Sequence, residues 1–281
     1  MRPWSTPWGR PLLEVRRAQT RAAAHEVRDA IAGRNYVQDY VRQLTHELKS
    51  PISAVRGAAE LLQEPGMPPD QAARFAANIA HESHRMQEVV ERMTELSALE
   101  SRRMLREQQR VPLAPMLQEL AAGARAKAPH LRIDVRIQED LAVDGDPFLL
   151  RRAVGNLLDN AVEFTAPAVL DDTNAPTDGA ADIVITLARE GRMARIAVRD
   201  HGPGVPPYAE GRLFDKFFSL ARPGSQKKST GLGLSFVREI ATLHQGSVEV
   251  GNAVARRAPS DPSRTDRGAL AVLRLPAVKA G

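Results

Sequence analysis

The 281-residue chain has no cysteine. That excludes a disulfide framework and thiolate metal sites, and it fits a reducing compartment. Aromatic residues make up only 4%, so any core is aliphatic. No run reaches the ~18 apolar residues that span a bilayer, and the opening "MRPWSTPWGRPLL" lacks the apolar centre of a signal peptide. Acidic charge is scarce in residues 1–34, where seven arginines face only Glu14, Glu26 and Asp29. The formal net charge is +5. The basic residues are not interleaved with aromatics and form no nucleic-acid motif, so no nucleic-acid partner is expected. Trp4 and Trp8 sit beside Arg2 and Arg10. Such a grouping occurs at membrane interfaces, but a frayed terminus is the simpler reading.

What remains is a soluble globular composition, 43% hydrophobic and 26% charged, of a length that suits two ordinary domains. No solenoid repeat is present. Val37, Val41, Leu44, Leu48, Pro51, Val55, Ala58 and Leu62 recur at alternating steps of four and three. This heptad seam predicts a helix packed along its length against others. "QEPGMPPD" (63–70) breaks it, and Asp70 is placed to cap a second helix. A second seam comprises Phe75, Ile79, Met86, Val89, Met93 and Leu96, interrupted by Glu82 and Glu100. Two such helices form an antiparallel hairpin. One hairpin buries little alone, so a homodimeric four-helix bundle is expected.

"SRRMLREQQR" (101–110) reads as a charged linker. Beyond it the periodicity changes. "VPLAPMLQELAAGA" reads as a helix, "LRIDVRI" (131–137) as a strand, and 147–164 as a helix capped by Asp146. "IVITLARE" and "MARIAVRD" form strands joined around Gly191-Arg192. Residues 232–244 form a helix, and "GSVEVGN" and "ALAVLRLP" close as strands. Residues 166–182 and 255–268 read as loops. This order predicts an α+β sandwich of mostly antiparallel strands.

Chemistry concentrates in four places. In "QLTHELKSPISAVRG" (43–57) the seam puts His46 at an exposed f position, with Ser50 one turn on and Glu47 at the edge of the same face. A carboxylate beside an imidazole can hold one ring nitrogen as N–H and leave the other as a nucleophile. Pro51 cannot donate to the carbonyl of Glu47, so the helix is expected to bend beside His46. "NLLDNAVEF" places Asn156 and Asn160 at i, i+4, and their amide oxygens suit Mg²⁺. "RDHGPGVP" sets Asp200 at a strand end before Gly202 and Gly204, as a carboxylate able to accept from a ligand amine. "STGLGLSFVREI" leads Gly231 and Gly233 into a helix N-terminus, with Lys227 and Lys228 upstream in a polar stretch suited to a lid. Taken singly, the last three motifs read as readily as local caps, a turn and a common helix start. Their order and spacing carry the case.

These residues resemble a family. "THELKSP" looks like the phosphoacceptor H box of sensor histidine kinases. "NLLDNAVEF", "DHGPG", "LFDKFF" (213–218) and "GLGL" look like the N, first glycine, F and second glycine boxes of their ATPase domain. "GALAVLRLP" resembles the closing strand. The "HELKSP" core and "KKSTGLGLSFVREIATLH" look most like CreC-type sensor kinases.

The resemblance implies an all-α dimerisation hairpin (36–101) followed by an α+β Bergerat-type ATP-binding sandwich (111–277). Residues 1–35 are then the remnant of a signalling linker, and 102–110 join the two domains. It implies ATP and Mg²⁺ as cofactors, with His46 phosphorylated and Glu47 the adjacent base. Asn160 and Asn156 face the metal, and Asp200 binds the adenine amino group. Gly202, Gly204, Gly231 and Gly233 shape the nucleotide pocket, with Lys227 and Lys228 in the lid. Phe214 and Phe217 either anchor the lid or belong to the core. The implied activity is ATP-dependent autophosphorylation and transfer to an aspartate of a response regulator receiver domain. A catalytically impaired dimeric scaffold of the same fold is the alternative. A chaperone or mismatch-repair ATPase of this ATP fold lacks a histidine-bearing hairpin.

The chain departs from the family's pattern in four ways. Ser50 stands where the phosphatase motif has Thr or Asn, which leaves a phosphatase reaction open. Glu163 stands where many members carry a basic residue, and the 166–182 loop looks long. No sensor or transmembrane segment is seen. The expected location is cytoplasmic, either alone or as the cytoplasmic part of an inner-membrane sensor kinase, with membrane association only through a missing or partner-supplied sensor.

Overall fold

The computed structural model describes residues 42, 44, 45, 47–102, 104, 105, 108–170, 181–220, 230–253, 257, 258, 261–265 and 268–279. The basic segment 1–35 lies outside them. The chain divides into two compact units, Met1–Gln87 and Glu88–Gly281.

In the first unit, helix α1 runs through 47–62, with residues 42, 44 and 45 also helical. Pro51 is buried and the helix continues through it rather than stopping. The seam residues Leu44, Leu48, Val55 and Leu62 are half-buried and Ala58 is buried, whereas Ile52 is 53% exposed. A turn containing Gly66 at φ 83° leads into α2 (Pro69–Glu100). The helix begins one residue before Asp70, with Pro69 at its first position. Proline fits there because its missing N–H would be unsatisfied anyway. Asp70 therefore sits in the first turn, not at the cap, where its negative charge complements the N-terminal dipole. Phe75, Ile79, Glu82 and Met86 are half-buried along one face.

Within the second unit the same face of α2 is fully covered. Val89, Met93, Leu96 and Leu99 are buried. Leu96 and Leu99 join the main hydrophobic core. Arg152 donates to Glu95 at 2.6 Å. The Lys216 ammonium lies 2.7 Å from Glu100, both side chains being mostly buried. Burial, reinforced by the Glu100 carboxylate, pushes the neighbouring Glu239 carboxyl up.

Past α2 the second unit alternates short strands with helices. Its elements are β1 (Gln109–Pro112), α3 (Leu113–Lys127), β2 (Ile133–Ile137), β3 (Leu141–Gly145), α4 (Pro147–Leu170), β4 (Ile183–Glu190), β5 (Met193–Asp200), a 3-10 turn (Pro207–Ala209), α5 (Gly233–Leu243), β6 (Ser247–Asn252), β7 (Arg257–Ala258), β8 (Asp261–Thr265), β9 (Ala269–Pro276) and β10 (Val278–Lys279). The main sheet has the order β2-β4-β5-β9-β6. Only the β2–β4 pair is parallel.

Alternation divides the sheet into two faces. Ile185 opposes Val198 and Leu187 opposes Ile196, which opposes Leu273. All of these are buried against α3, α4 and α5. The other face carries charge: Arg274 donates to Glu190 and Glu249, both at 2.9 Å. The result is a two-layer α+β sandwich, as expected.

Several elements depart from the sequence expectation. The stretch read as linker ends in β1, a four-residue edge strand too short to show a pattern. β3 is buried at four of its five positions, so it shows no alternation. The helix read as ending at 164 continues to Leu170, and the stretch read as loop at 255–268 contains the paired strands β7 and β8. Residues 171–180 lie outside the described residues.

The start of α4 and the end of α5 are tied together. Asp146 caps α4, accepting from the backbone N–H of Phe148 at 2.9 Å and of Leu149 at 3.2 Å. His244 donates from Nδ1 to Ile240 O at 2.7 Å and accepts at Nε2 from Asp146 N–H at 3.1 Å. One nitrogen donates and the other accepts, so the ring is neutral. Burial holds its pKa below the ordinary histidine value.

Candidate functional site

A cavity of about 490 Å³ opens between α4, the ends of β5, β6 and β9, and the N-terminus of α5. At its apolar end lies Asp200, only 7% exposed. The motif "DHGPG" turns immediately after β5, so the backbone N–H of Gly202 reaches back to Asp200 Oδ1 at 2.9 Å. Ala269 N–H, at the start of β9, reaches the same oxygen at 2.9 Å. Oδ2 has no hydrogen bond among the described residues and is left to meet a ligand. Desolvation raises the Asp200 pKa, and the two backbone donors only partly offset it. A buried carboxylate with one fixed and one open oxygen is a directional acceptor for an N–H donor.

The polar end is built from α4 and α5. Asn156 and Asn160 line the cavity one helical turn apart. Asn156 donates from Nδ2 to Gly233 O at 3.3 Å, which leaves its Oδ1 without a hydrogen bond among the described residues. Neutral hard oxygens at this point fit a magnesium ion carried in with a polyphosphate. Glu163 also lines the cavity.

Gly231 adopts φ 64°, and a Cβ there would fall on the backbone of Phe217. Phe217 is itself left-handed at φ 61° and donates its N–H to Gly231 O at 3.0 Å. Both ends of the segment 218–230 are therefore pinned at one place. Phe217 packs on the main core. Phe214 packs with Val205, Ala209 and Leu213 in a second, smaller cluster.

Asp200, Asn156, Asn160, Gly204, Gly231 and Gly233 all line the cavity. Gly202 stands behind it, acting through Asp200. Glu47 is half-buried and Ser50 exposed on α1. His46, Lys227 and Lys228 lie outside the described residues.

Sequence reading missed four contributors. Asn252 clamps the loop before the 3-10 turn, accepting from Val205 N–H at 2.7 Å and donating to Val205 O at 2.9 Å. A Cβ on Gly268 would fall on Asp200 O, so that glycine lets β9 approach the carboxylate. Its place before the closing strand is the one signal that could have found it. Phe218 and Arg92 also line the cavity. Phe218 follows Phe214 and Phe217 in "LFDKFF". Arg92 looks like an ordinary solvated helix charge.

Comparison with known proteins accounts for both units. Residues 145–279 match the family of histidine kinase-, DNA gyrase B-, and HSP90-like ATPases. Residues 36–102 match the His Kinase A (phospho-acceptor) domain. Sensor protein CreC of Escherichia coli (strain K12) is 37% identical over 90% of this chain and 48% of its own length. Sensor-like histidine kinase SenX3 of Mycolicibacterium smegmatis is 29% identical over 76% of this chain and 53% of its own. The chain thus spans about half the length of the curated relatives it matches.

Two solved structures share the fold. Histidine kinase ThkA, in complex with response regulator protein TrrA, aligns over 97% of this chain and 67% of that chain, with a TM-score of 0.59 at 20% identity. Acinetobacter baumannii histidine kinase AdeS aligns over 82% and 98%, with a TM-score of 0.57 at 16% identity. Phospho-acceptor match, ATPase match and cavity succeed one another on a single polypeptide, and the chain belongs to the family of two-component sensor histidine kinases.

Proposed function

We propose that the protein transfers the γ-phosphoryl group of ATP to its own His46 and then passes it to an aspartate of a response regulator receiver domain. The observation that carries this reading is the succession of the two family matches on one chain, phospho-acceptor first and ATPase second.

Each site residue has a part in this reaction. Asp200 Oδ2 accepts from the adenine amino group, and Gly202 and Gly204 let the backbone lie close to the base. Asn160 and Asn156 hold a magnesium ion by their amide oxygens. When bound, that ion neutralises phosphate charge. Gly231 and Gly233 border the phosphates, and Lys227 and Lys228 supply positive charge from the lid. A ring nitrogen of His46 attacks the γ-phosphorus, and the bond to the bridging oxygen breaks with its electron pair leaving on ADP. Glu47 holds the other ring nitrogen and bears part of the positive charge that develops. Ser50 sits one turn on, placed to orient a water for dephosphorylation of the receiver aspartate.

Two copies pair through the half-buried seam residues of the hairpin, 36–101 being the dimerisation domain and 111–277 the catalytic domain. Among the described residues no helix is long and apolar enough to cross a membrane. The work is that of the cytoplasmic part of a sensor kinase, with a sensor supplied in the same polypeptide or by a partner.

Incubation with Mg²⁺ and γ-labelled ATP tests the reading. Acid-labile, base-stable label that disappears in His46→Gln is the expected result. Asp200→Asn keeps an acceptor for the two backbone N–H groups but turns a donor towards the adenine amine. Labelling is expected to vanish while the domain stays as stable or becomes more so, because a raised carboxylate pKa means the ionised form costs folding stability at neutral pH. Labelling that survives in His46→Gln overturns the assignment of the acceptor.

A further inference from the structure

One residue lining the nucleotide cavity comes from the stretch that matches the phospho-acceptor domain rather than the ATPase family. Arg92 lies on α2, inside the stretch that matches the phospho-acceptor domain, yet its side chain lines the cavity alongside Asn156 and Asn160. Its Nη1 donates to Thr230 Oγ1 at 3.2 Å, one residue before Gly231. The helix is held in place there by the buried Val89, Met93 and Leu96 and by the Glu95–Arg152 pair at 2.6 Å. The guanidinium is therefore delivered by a fixed support.

Charge gives this position its meaning. The described ionisable side chains lining the cavity are Arg92, Lys127, Asp159, Glu163 and Asp200. Lys127 is engaged with Asp159 at 3.6 Å. Arg92 adds a second cation to that lining, beside the amides of Asn156 and Asn160. Arginine keeps its charge at any working pH and offers a planar fork of donors that matches phosphate oxygens.

We propose that Arg92 is a ligand of the nucleotide's phosphate chain, supplied by the phospho-acceptor helix rather than by the ATP-binding fold. The proposal rests on the ATP-binding reading above. On nucleotide binding the guanidinium exchanges or shares its Thr230 contact with phosphate oxygen, and α2 carries a direct contact to the nucleotide.

Equilibrium binding of a non-hydrolysable ATP analogue, ADP and adenosine to the full chain tests it. Arg92→Ala is expected to weaken both nucleotides about tenfold, the effect of losing a charged hydrogen bond. It should leave adenosine affinity and the nucleotide-free melting temperature unchanged, and Arg92→Lys should recover part of the loss. Unchanged nucleotide affinity overturns the proposal, as does an equal loss for adenosine. Thr230→Val is the second variant. If it alone reproduces the Arg92→Ala loss, the arginine acts through the lid residue and the proposal fails. Wild-type protein that binds no nucleotide would sink the ATP-binding reading itself, an outcome visible before any variant is made.

Discussion

Two glutamates interrupt the apolar seam of α2, and they meet different fates. Glu82 is half-buried in the first unit, and Arg85, three residues along the same helix, lies 3.6 Å from it. Glu100 ends the helix in the second unit, where Lys216 reaches it from 116 residues away at 2.9 Å. The surrounding seam differs in the same sense: Phe75, Ile79 and Met86 are half-covered, whereas Met93 and Leu96 are 2% and 1% exposed. A single periodic pattern thus serves two environments. One half of the helix keeps an apolar face that is only half-covered. The other half is an integral part of the ATP-binding unit's core.

The sharpest way to break this contrast is to remove one member of a mostly buried ion pair. Glu100→Ala leaves Lys216 mostly buried without that carboxylate and is expected to destabilise the second unit by about 3 kcal/mol, read by denaturant unfolding. Glu100→Leu combined with Lys216→Met should restore most of that loss. Next comes truncation of the seam itself. Leu96→Ala should cost about 3 kcal/mol and Phe75→Ala about 1 kcal/mol, since a cavity forms only where the surroundings are closed. Equal losses would erase the distinction between the halves.

A pH scan sharpens the contrast by a different route. His244 is neutral in the fold with its pKa lowered by burial. The unfolded chain therefore takes up that proton first, and stability falls as pH drops below about 6.5. His244→Gln should flatten that slope, and the first unit's unfolding should not show it. The smallest effect belongs to Glu82→Ala, expected within about 1 kcal/mol because its ionic neighbour is local and partly hydrated.

The seams, the Asp146 cap, the long strands and the three motifs that meet at the cavity were legible because each is a local pattern. Periodicity marks a buried face, and glycine or asparagine at fixed offsets marks a turn or a ligand. Asn252 and Arg92 were not legible, since each works through a partner distant in sequence and neither breaks its local rule. Arg92 sits on an exposed helix position where arginine is ordinary until the cavity opposite it is known. β3 was hidden for the opposite reason, because burial on both faces removes the alternation by which a strand is read.

The hydrogen bond from Phe217 N–H to Gly231 O closes the stretch 218–230 into a ring at its base. Extra residues inserted between those two anchors would cost closure entropy that grows only with the logarithm of length, roughly 0.6 kcal/mol per doubling. The two left-handed residues thus fix one point of the cavity rim, and Phe218 and Leu220 pack beside it on the smaller cluster.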